Sequence, residues 1–254
     1  MNPKTIAFLG KGGSGKSILS SLTAKLFLNQ GKKLLLIDAD PAMGLATALN
    51  VENFKTIGKA REEIIRQAKI SRKDESARLS EIIDYLLLEA LYETAQYSLL
   101  VMGHTDTVGC YCPINSLLRE TIDSISSNYD VVIIDAEAGI EQINREVTQS
   151  VDYPILLTDN SMRGAKTTVL AKETIDSSPG MEPLKTGVIF NRVESFEPGL
   201  ENIIKEKGLS IYGVIPPDKN ITSLDSRGEN AFLIPEDSIS LTALKNILEK
   251  EGII

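Results

Sequence analysis

Eight residues near the start of the chain, Gly10-Lys11-Gly12-Gly13-Ser14-Gly15-Lys16-Ser17, constrain its fold more than any other segment. Glycines followed by a lysine and a hydroxyl residue make a loop whose backbone N–H groups turn inward on an anion. Such a loop works where a strand hands over to a helix, because the helix N-terminus adds partial positive charge. The flanks satisfy that condition: residues 4–9 read as a short buried strand, and residues 18–29 carry apolar side chains at helical spacing. The loop from Gly12 through Gly13, Ser14, Gly15, Lys16, Ser17 and Ile18 is therefore expected to wrap the phosphates of a nucleotide. Lys16 should reach the β and γ phosphates of ATP or ADP, and the Ser17 hydroxyl should ligate Mg²⁺.

The rest of the chain continues the alternation that this unit begins. Residues 32–37, Lys-Lys-Leu-Leu-Leu-Ile, are too short and too apolar for a surface helix and read as a strand covered on both faces. Further strands are expected at 98–102, 130–135, 154–158, 185–190 and 210–214, with helices between them and an amphipathic helix over 238–250. Residues 51–97 are rich in charge and helical in pattern, and read as an insertion of two or three helices. The pattern predicts one α/β domain over 1–254, a mainly parallel central sheet flanked by helices on both faces.

Carboxylates fall at the ends of two of these strands. Asp38 and Asp40 are two residues apart in an extended segment, so both are expected to point beyond the strand's C-terminal edge, where open parallel sheets bind ligands. Asp135 closes the apolar run Val131-Val132-Ile133-Ile134 in the same way. Asn191 directly follows another apolar run, and its amide can both donate to and accept from an adenine edge. The single histidine, His104, and the absence of tryptophan leave carboxylates, lysines and Mg²⁺ as the means of catalysis.

Composition removes several classes. A formal net charge of −8 argues against sequence-independent nucleic-acid binding, which needs a basic surface to release counterions. No apolar run approaches the ~20 residues of a membrane span, and the chain enters its first strand without a leader, so a cytoplasmic protein with no membrane association is expected.

The second lysine of the loop narrows the reading. The pattern Gly-Lys-Gly-Gly-x-Gly-Lys-Ser resembles the deviant Walker A loop of the MinD, ParA and nitrogenase-iron-protein ATPases. That resemblance implies that Lys11 crosses a homodimer interface to the partner's nucleotide, that Asp40 positions the attacking water, and that Asp38 sits in the Mg²⁺ water shell. It further implies that Asp135, in Asp135-Ala136-Glu137-Ala138-Gly139-Ile140-Glu141, holds a Mg²⁺-bound water while Gly139 lets the loop sense the γ-phosphate. Arg192, Pro216, Pro217 and Asp218 fit the base-side wall of the same family.

Only two cysteines exist, within Gly109-Cys110-Tyr111-Cys112-Pro113, and the flanking Gly and Pro place them in a turn before a helix that starts near residue 114. Two thiolates cannot close a four-ligand metal site, but a twofold dimer presents the patch twice and supplies four. With this pair the chain is similar, over nearly its full length, to the CooC-type ATPases that mature carbon monoxide dehydrogenase and acetyl-CoA synthase by supplying nickel. The resemblance implies Cys110 and Cys112 as ligands of Ni²⁺ or Zn²⁺ across the dimer, and a nickel enzyme as client. Thiolate chemistry suits either metal, and the motifs do not distinguish the two clients. An iron–sulphur-carrying ATPase of the nitrogenase-iron-protein type and a MinD- or ParA-like positioning ATPase are the alternatives.

Overall fold

In the computed structural model the described residues are 2–70, 76–103, 112–137, 147–148, 150–177 and 183–254, with the side chains of 67–70, 76–81, 112–115 and 198 outside the description. Chain order gives β1 (Lys4–Gly10), α1 (Lys16–Leu28), β2 (Leu34–Asp38), α2 (Gly44–Ala48), α3 (Ile57–Ile70) and α4 (Ser76–Ala90). Next come β3 (Tyr92–Glu93), β4 (Tyr97–Val101), α5 (Cys112–Ser126), β5 (Val131–Asp135), β6 (Tyr153–Thr158) and α6 (Met162–Ser177). The chain closes with β7 (Gly187–Asn191), α7 (Pro198–Glu206), β8 (Ser210–Ile215), α8 (Lys219–Ser226), a 3₁₀ turn at Ala231–Leu233 and α9 (Ile239–Lys250).

The strands form one eight-stranded sheet in the order β3-β4-β2-β5-β1-β6-β7-β8. Every pairing is parallel except β3 with β4. Alternation along each strand divides the core between the two faces. From β1, Ile6 and Phe8 join Leu19, Leu22 and Phe27 of α1 and Leu244 and Leu248 of α9, whereas Ala7 and Leu9 join Ile64, Ile83, Ile122 and Ala165 of α3 to α6. Burial on both faces is why β2, β4 and β5 are near-continuous apolar runs, and each is buried at every position.

Register sets up the site. Asp38 at the end of β2 lies directly beside Asp135 at the end of β5, and Phe8 of β1 is opposite Asp135 from the other side. Both acids therefore stand at the sheet edge from which the Gly10–Ser17 loop rises.

The α/β architecture matches the expectation, with local differences. The insertion contains two helices, α3 and α4, and then β3, whose two residues are too few to show a period. The short α2, after Asp40-Pro41, also lies below the length at which periodicity is legible. Helix α5 begins at Cys112 and not near residue 114, because Pro113 falls in the first turn, where its missing N–H costs no helical bond.

Candidate nucleotide site

The loop between β1 and α1 is held open by backbone conformations that need glycine. Gly13 and Gly15 adopt φ of 77° and 93°, and a Cβ on Gly15 would lie 2.3 Å from Asn191 Nδ2. Gly12 and Gly13 have open space on their outer side and line a groove of about 530 Å³ together with Gly15, Lys16, Ser17, Ile18, Asp40 and Arg192. Lys16, 4% exposed, places its ammonium 3.6 Å from Asp40 Oδ2 and donates to the Lys11 carbonyl at 3.4 Å. Its charge is thus aimed along the groove floor.

Ser17 donates its hydroxyl to Asp135 Oδ2 at 2.6 Å, while the second oxygen of that fully buried carboxylate has no partner. Burial, reinforced by the neighbouring Asp38 and Asp40 charges, pushes Asp135 up to about 7 against the pull of Ser17 and Lys16. An ionised carboxylate buried beside another acid lacks counter-charge, and a divalent cation at Ser17 would supply it. The residues present fit Mg²⁺: a hydroxyl, a carboxylate with a free oxygen, and a glycine, Gly44, whose missing side chain would otherwise stand 2.4 Å from Ser17 Oγ.

Asp38 and Asp40 do different things. Asp38 is fully buried and accepts from the backbone N–H of Asp40 at 3.3 Å and of Ala46 at 2.9 Å, so it ties the turn after β2 to α2. Burial raises it to about 6 despite those bonds. Asp40 is partly exposed, accepts from the Ala42 N–H at 2.9 Å and faces Lys16 across the groove. The two carboxylates therefore do not converge on one point, because Asp38 turns back into the backbone of α2. Between them and α2, Met43 holds a left-handed conformation, φ 53° and ψ 43°, uncommon for a side chain of its kind.

Lys11 does not extend outward. Its ammonium lies 2.5 Å from Asp159 Oδ2 and 3.4 Å from Ser161 Oγ, both in the segment that follows β6 of the same chain. Burial opposes ionisation of Asp159, but the hydrogen bonds from Lys11 and Ser161 outweigh it and hold this carboxyl below its usual range.

Beside the phosphate groove is a cavity of about 220 Å³ lined by Ile18, Asn191, Arg192, Pro216, Pro217 and Asp218 among others. Asn191 spends one amide N–H on the Ser14 carbonyl at 2.8 Å, and Arg192 donates to the Gly13 carbonyl at 3.4 Å, so both brace the loop as well as lining the cavity. Asp218 does not offer a free carboxylate: it accepts from Ser238 Oγ at 2.5 Å and from the N–H groups of Ser240 and Asn220 at 3.1 and 2.8 Å.

The structure thus gathers Lys11, Gly12 to Ile18, Asp38, Asp40, Asp135, Asn191, Arg192 and Pro216 to Asp218 around one sheet edge. Gly139, His104 and Cys110 lie outside the described residues, and so does the side chain of Cys112. Sequence reading missed Asp159 and Ser161, Gly44, and two serines at the start of α9, the cap Ser238 and Ser240 of the first turn. Asp159 had a signal, since it follows an apolar strand as Asp135 ends one; Ser238 had the ordinary signature of a helix cap.

This fold and site define an α/β nucleotide-binding domain built on a phosphate-binding loop. Residues 6–231 match the CobQ/CobB/MinD/ParA nucleotide binding domain, and the chain belongs to that family. It is 36% identical to an uncharacterized ATP-binding protein of Methanocaldococcus jannaschii, over 96% of this chain and 97% of that one. It is also 27% identical to the carbon monoxide dehydrogenase accessory protein CooC of Rhodospirillum rubrum, over 89% of each. Among solved structures the fold is similar to MinD in the MinC:MinD cell division complex of Aquifex aeolicus, with TM-score 0.70, 21% identity and coverage of 98% and 96%. MinD of Pyrococcus horikoshii complexed with Mg-ADP gives TM-score 0.66 at 20% identity, with the same coverage. Among the described residues no helix is long and apolar enough to cross a membrane.

Proposed function

We propose that the chain is a Mg-ATP hydrolase that dimerises on its nucleotide and serves the maturation of a nickel enzyme, carbon monoxide dehydrogenase or acetyl-CoA synthase. The observation that carries the hydrolase reading is that Lys16, Ser17 and Asp40 line one groove, with the buried Asp135 accepting from Ser17 behind it. The client reading is supported by the likeness to CooC and by the Cys110-x-Cys112 pair in the sequence.

In this reading the loop N–H groups and Lys16 bind the β and γ phosphates, and Asp40 orients a water in line with the γ-phosphorus. Attack forms the new P–O bond and breaks the bond to the bridging oxygen, giving ADP and phosphate, and Asp40 takes the water's proton for release to solvent. Ser17 and Asp135 would hold Mg²⁺, with Asp38 behind them, and the ion neutralises charge across the phosphates when bound. Lys11 acts on the partner's nucleotide, leaving Asp159 to do so, which makes turnover depend on dimerisation.

The test is anaerobic titration with Ni²⁺ and with Zn²⁺, with and without ATP, read by gel filtration and metal analysis. One ion per dimer is expected, lost in both Cys110→Ser and Cys112→Ser while ATP binding persists, since each change removes two of four symmetric thiolates. Affinity should fall as pH drops, because protons compete for sulphur with an ordinary thiol pKa of about 8.5. One ion per monomer, or unchanged affinity in either variant, would remove the metal role and leave the hydrolase alone.

A further inference from the structure

Asp159 and Ser161, which hold Lys11, have one residue between them, and that residue is fastened to a different segment. Asn160 donates its amide N–H to the Ser195 carbonyl at 3.1 Å and accepts from the Glu197 N–H at 3.1 Å. Donor and acceptor of one side chain are thus both spent on backbone two residues apart, which fixes its orientation. That backbone is firm. Phe196, between the two bonded groups, stacks on fully buried Phe190 of β7 with ring centroids 4.9 Å apart, and Glu197 is the cap residue of α7. Ser161 is committed too, accepting from the Gly164 N–H at 3.0 Å in the first turn of α6 and donating to Asp159 Oδ1 at 2.5 Å. Asp159 is left with Oδ2 facing Lys11. The segment that Asn160 grips begins with Asn191 and Arg192, and Arg192 holds a left-handed φ of 60° while both donate to carbonyls of the phosphate loop. Two arms therefore reach that loop, one at Gly13 and Ser14 and the other at Lys11, and Asn160 joins them.

We propose that Asn160 is a positioning residue for Lys11: it keeps Asp159 where that carboxylate retains Lys11 within its own chain, and so sets how readily the lysine is released to a partner's nucleotide. The side chains of Lys11 and Asp159 are 27% and 43% exposed, and a pair so open to solvent contributes little unless its geometry is held. Asn160 holds one half of it. The same two hydrogen bonds give the base-side arm, which starts at Arg192, a route to Asp159. The inference rests on the reading that Lys11 acts in trans, and deepens it by naming what regulates its release.

The experiment follows dimerisation of the full chain against a non-hydrolysable ATP analogue with Mg²⁺, read by sedimentation, for wild type, Asn160→Ala, Asp159→Ala and the double variant, with Mg-ADP affinity and melting temperature alongside. Asn160→Ala should reach half-dimerisation at an analogue concentration ~2- to 5-fold lower than wild type, the weight of a partly exposed ion pair. Asp159→Ala should shift it at least as far, and the double variant should match Asp159→Ala alone, since a residue acting through Asp159 then has nothing to act on. Mg-ADP affinity should stay within about twofold of wild type, because the groups that bind it are unchanged. Asn160→Leu keeps the volume without either hydrogen bond, and should shift the curve the same way if the alanine variant does not fold. A folded Asn160 variant that dimerises as wild type does or at a higher analogue concentration, or effects of the two alanine changes that add, would make Asn160 a loop residue only and overturn the proposal. Wild type that stays monomeric at saturating analogue would overturn the trans-acting reading of Lys11 itself.

Discussion

The two lysines of the loop show how a single residue's surroundings decide its chemistry. Lys16 is buried at the groove floor against Asp40, whereas Lys11 is a quarter exposed and paired with Asp159. Lys16→Ala should lose ATP affinity on the order of 100-fold, because a cation aimed at the outer phosphates is gone, and equilibrium binding measures it. Lys11→Ala should keep affinity within a few-fold and lose turnover on the order of 10³-fold, since in the proposed dimer its contribution comes at the transition state. Equal loss of affinity in both would sink the assignment of separate roles. At this scale the sequence was legible where residue type alone dictates conformation, as in Gly13 and Gly15, which take φ of 77° and 93°. It was not legible for Lys11, whose direction depends on Asp159, distant in sequence and brought close only by the β1–β6 pairing. Nor could the type of Asp218 reveal that its oxygens are spent on Ser238, Ser240 and Asn220.

Elements carry the site through short connections. The turn after β2 and the first residue of α2 press on the loop so closely that Gly44→Ala would put a Cβ 2.4 Å from Ser17 Oγ. That substitution should lower Mg-ATP turnover on the order of 10- to 100-fold by displacing the hydroxyl, with secondary structure by circular dichroism unchanged. Turnover at the wild-type rate would show that α2 gives way. The other contact between elements is the hold of Asp218 on α9. Burial works against its charge, but hydrogen bonds from Ser238 and from backbone N–H groups prevail and hold its carboxyl below the ordinary 3.8. A depressed folded pKa means that the stabilisation is fully present above about pH 3.8 and fades as pH falls through the lower folded value. Asp218→Asn should therefore melt lower than wild type at pH 7, by roughly 2–4 °C, and the gap should close below pH 3.8. A gap constant across that range would mean that packing, not charge, is what the carboxylate contributes. Long elements such as α1 and α9 were readable because apolar spacing is repeated over several turns. The short α2 and β3 were not, since their existence comes from tertiary contacts: the Asp38 carboxylate on Ala46 N–H for one, the β4 edge for the other.

At the scale of the whole molecule, the parallel sheet brings β1, β2 and β5 to one edge, and so sets the cation-bearing loop against Asp38 and Asp135 and, one turn beyond, Asp40. This arrangement was readable in outline from strands that end in acids. The division of labour among those acids was not, because it depends on which backbone N–H groups each one meets. Asp135 has a free oxygen and Asp38 has none to spare, whereas Asp40 stands partly exposed over the groove opposite Lys16. Of the three, only Asp40 is partly exposed and lines the groove, whereas Asp38 and Asp135 are fully buried. Asp40→Asn keeps the size and the acceptor for the Ala42 N–H but removes the charge that, in the proposed mechanism, orients the nucleophile and takes its proton. Hydrolysis should fall ~100- to 10,000-fold, the range typical for loss of a general base, while ATP binding survives. Because the γ-phosphate then persists, the proposed nucleotide-held dimer should persist as well. Gel filtration in Mg-ATP should show the variant accumulating as a dimer where wild type returns to monomer as ATP is consumed. Wild-type hydrolysis by this variant would make Asp40 a turn residue that merely balances Lys16, and would pass the search for the base to the acids on either side.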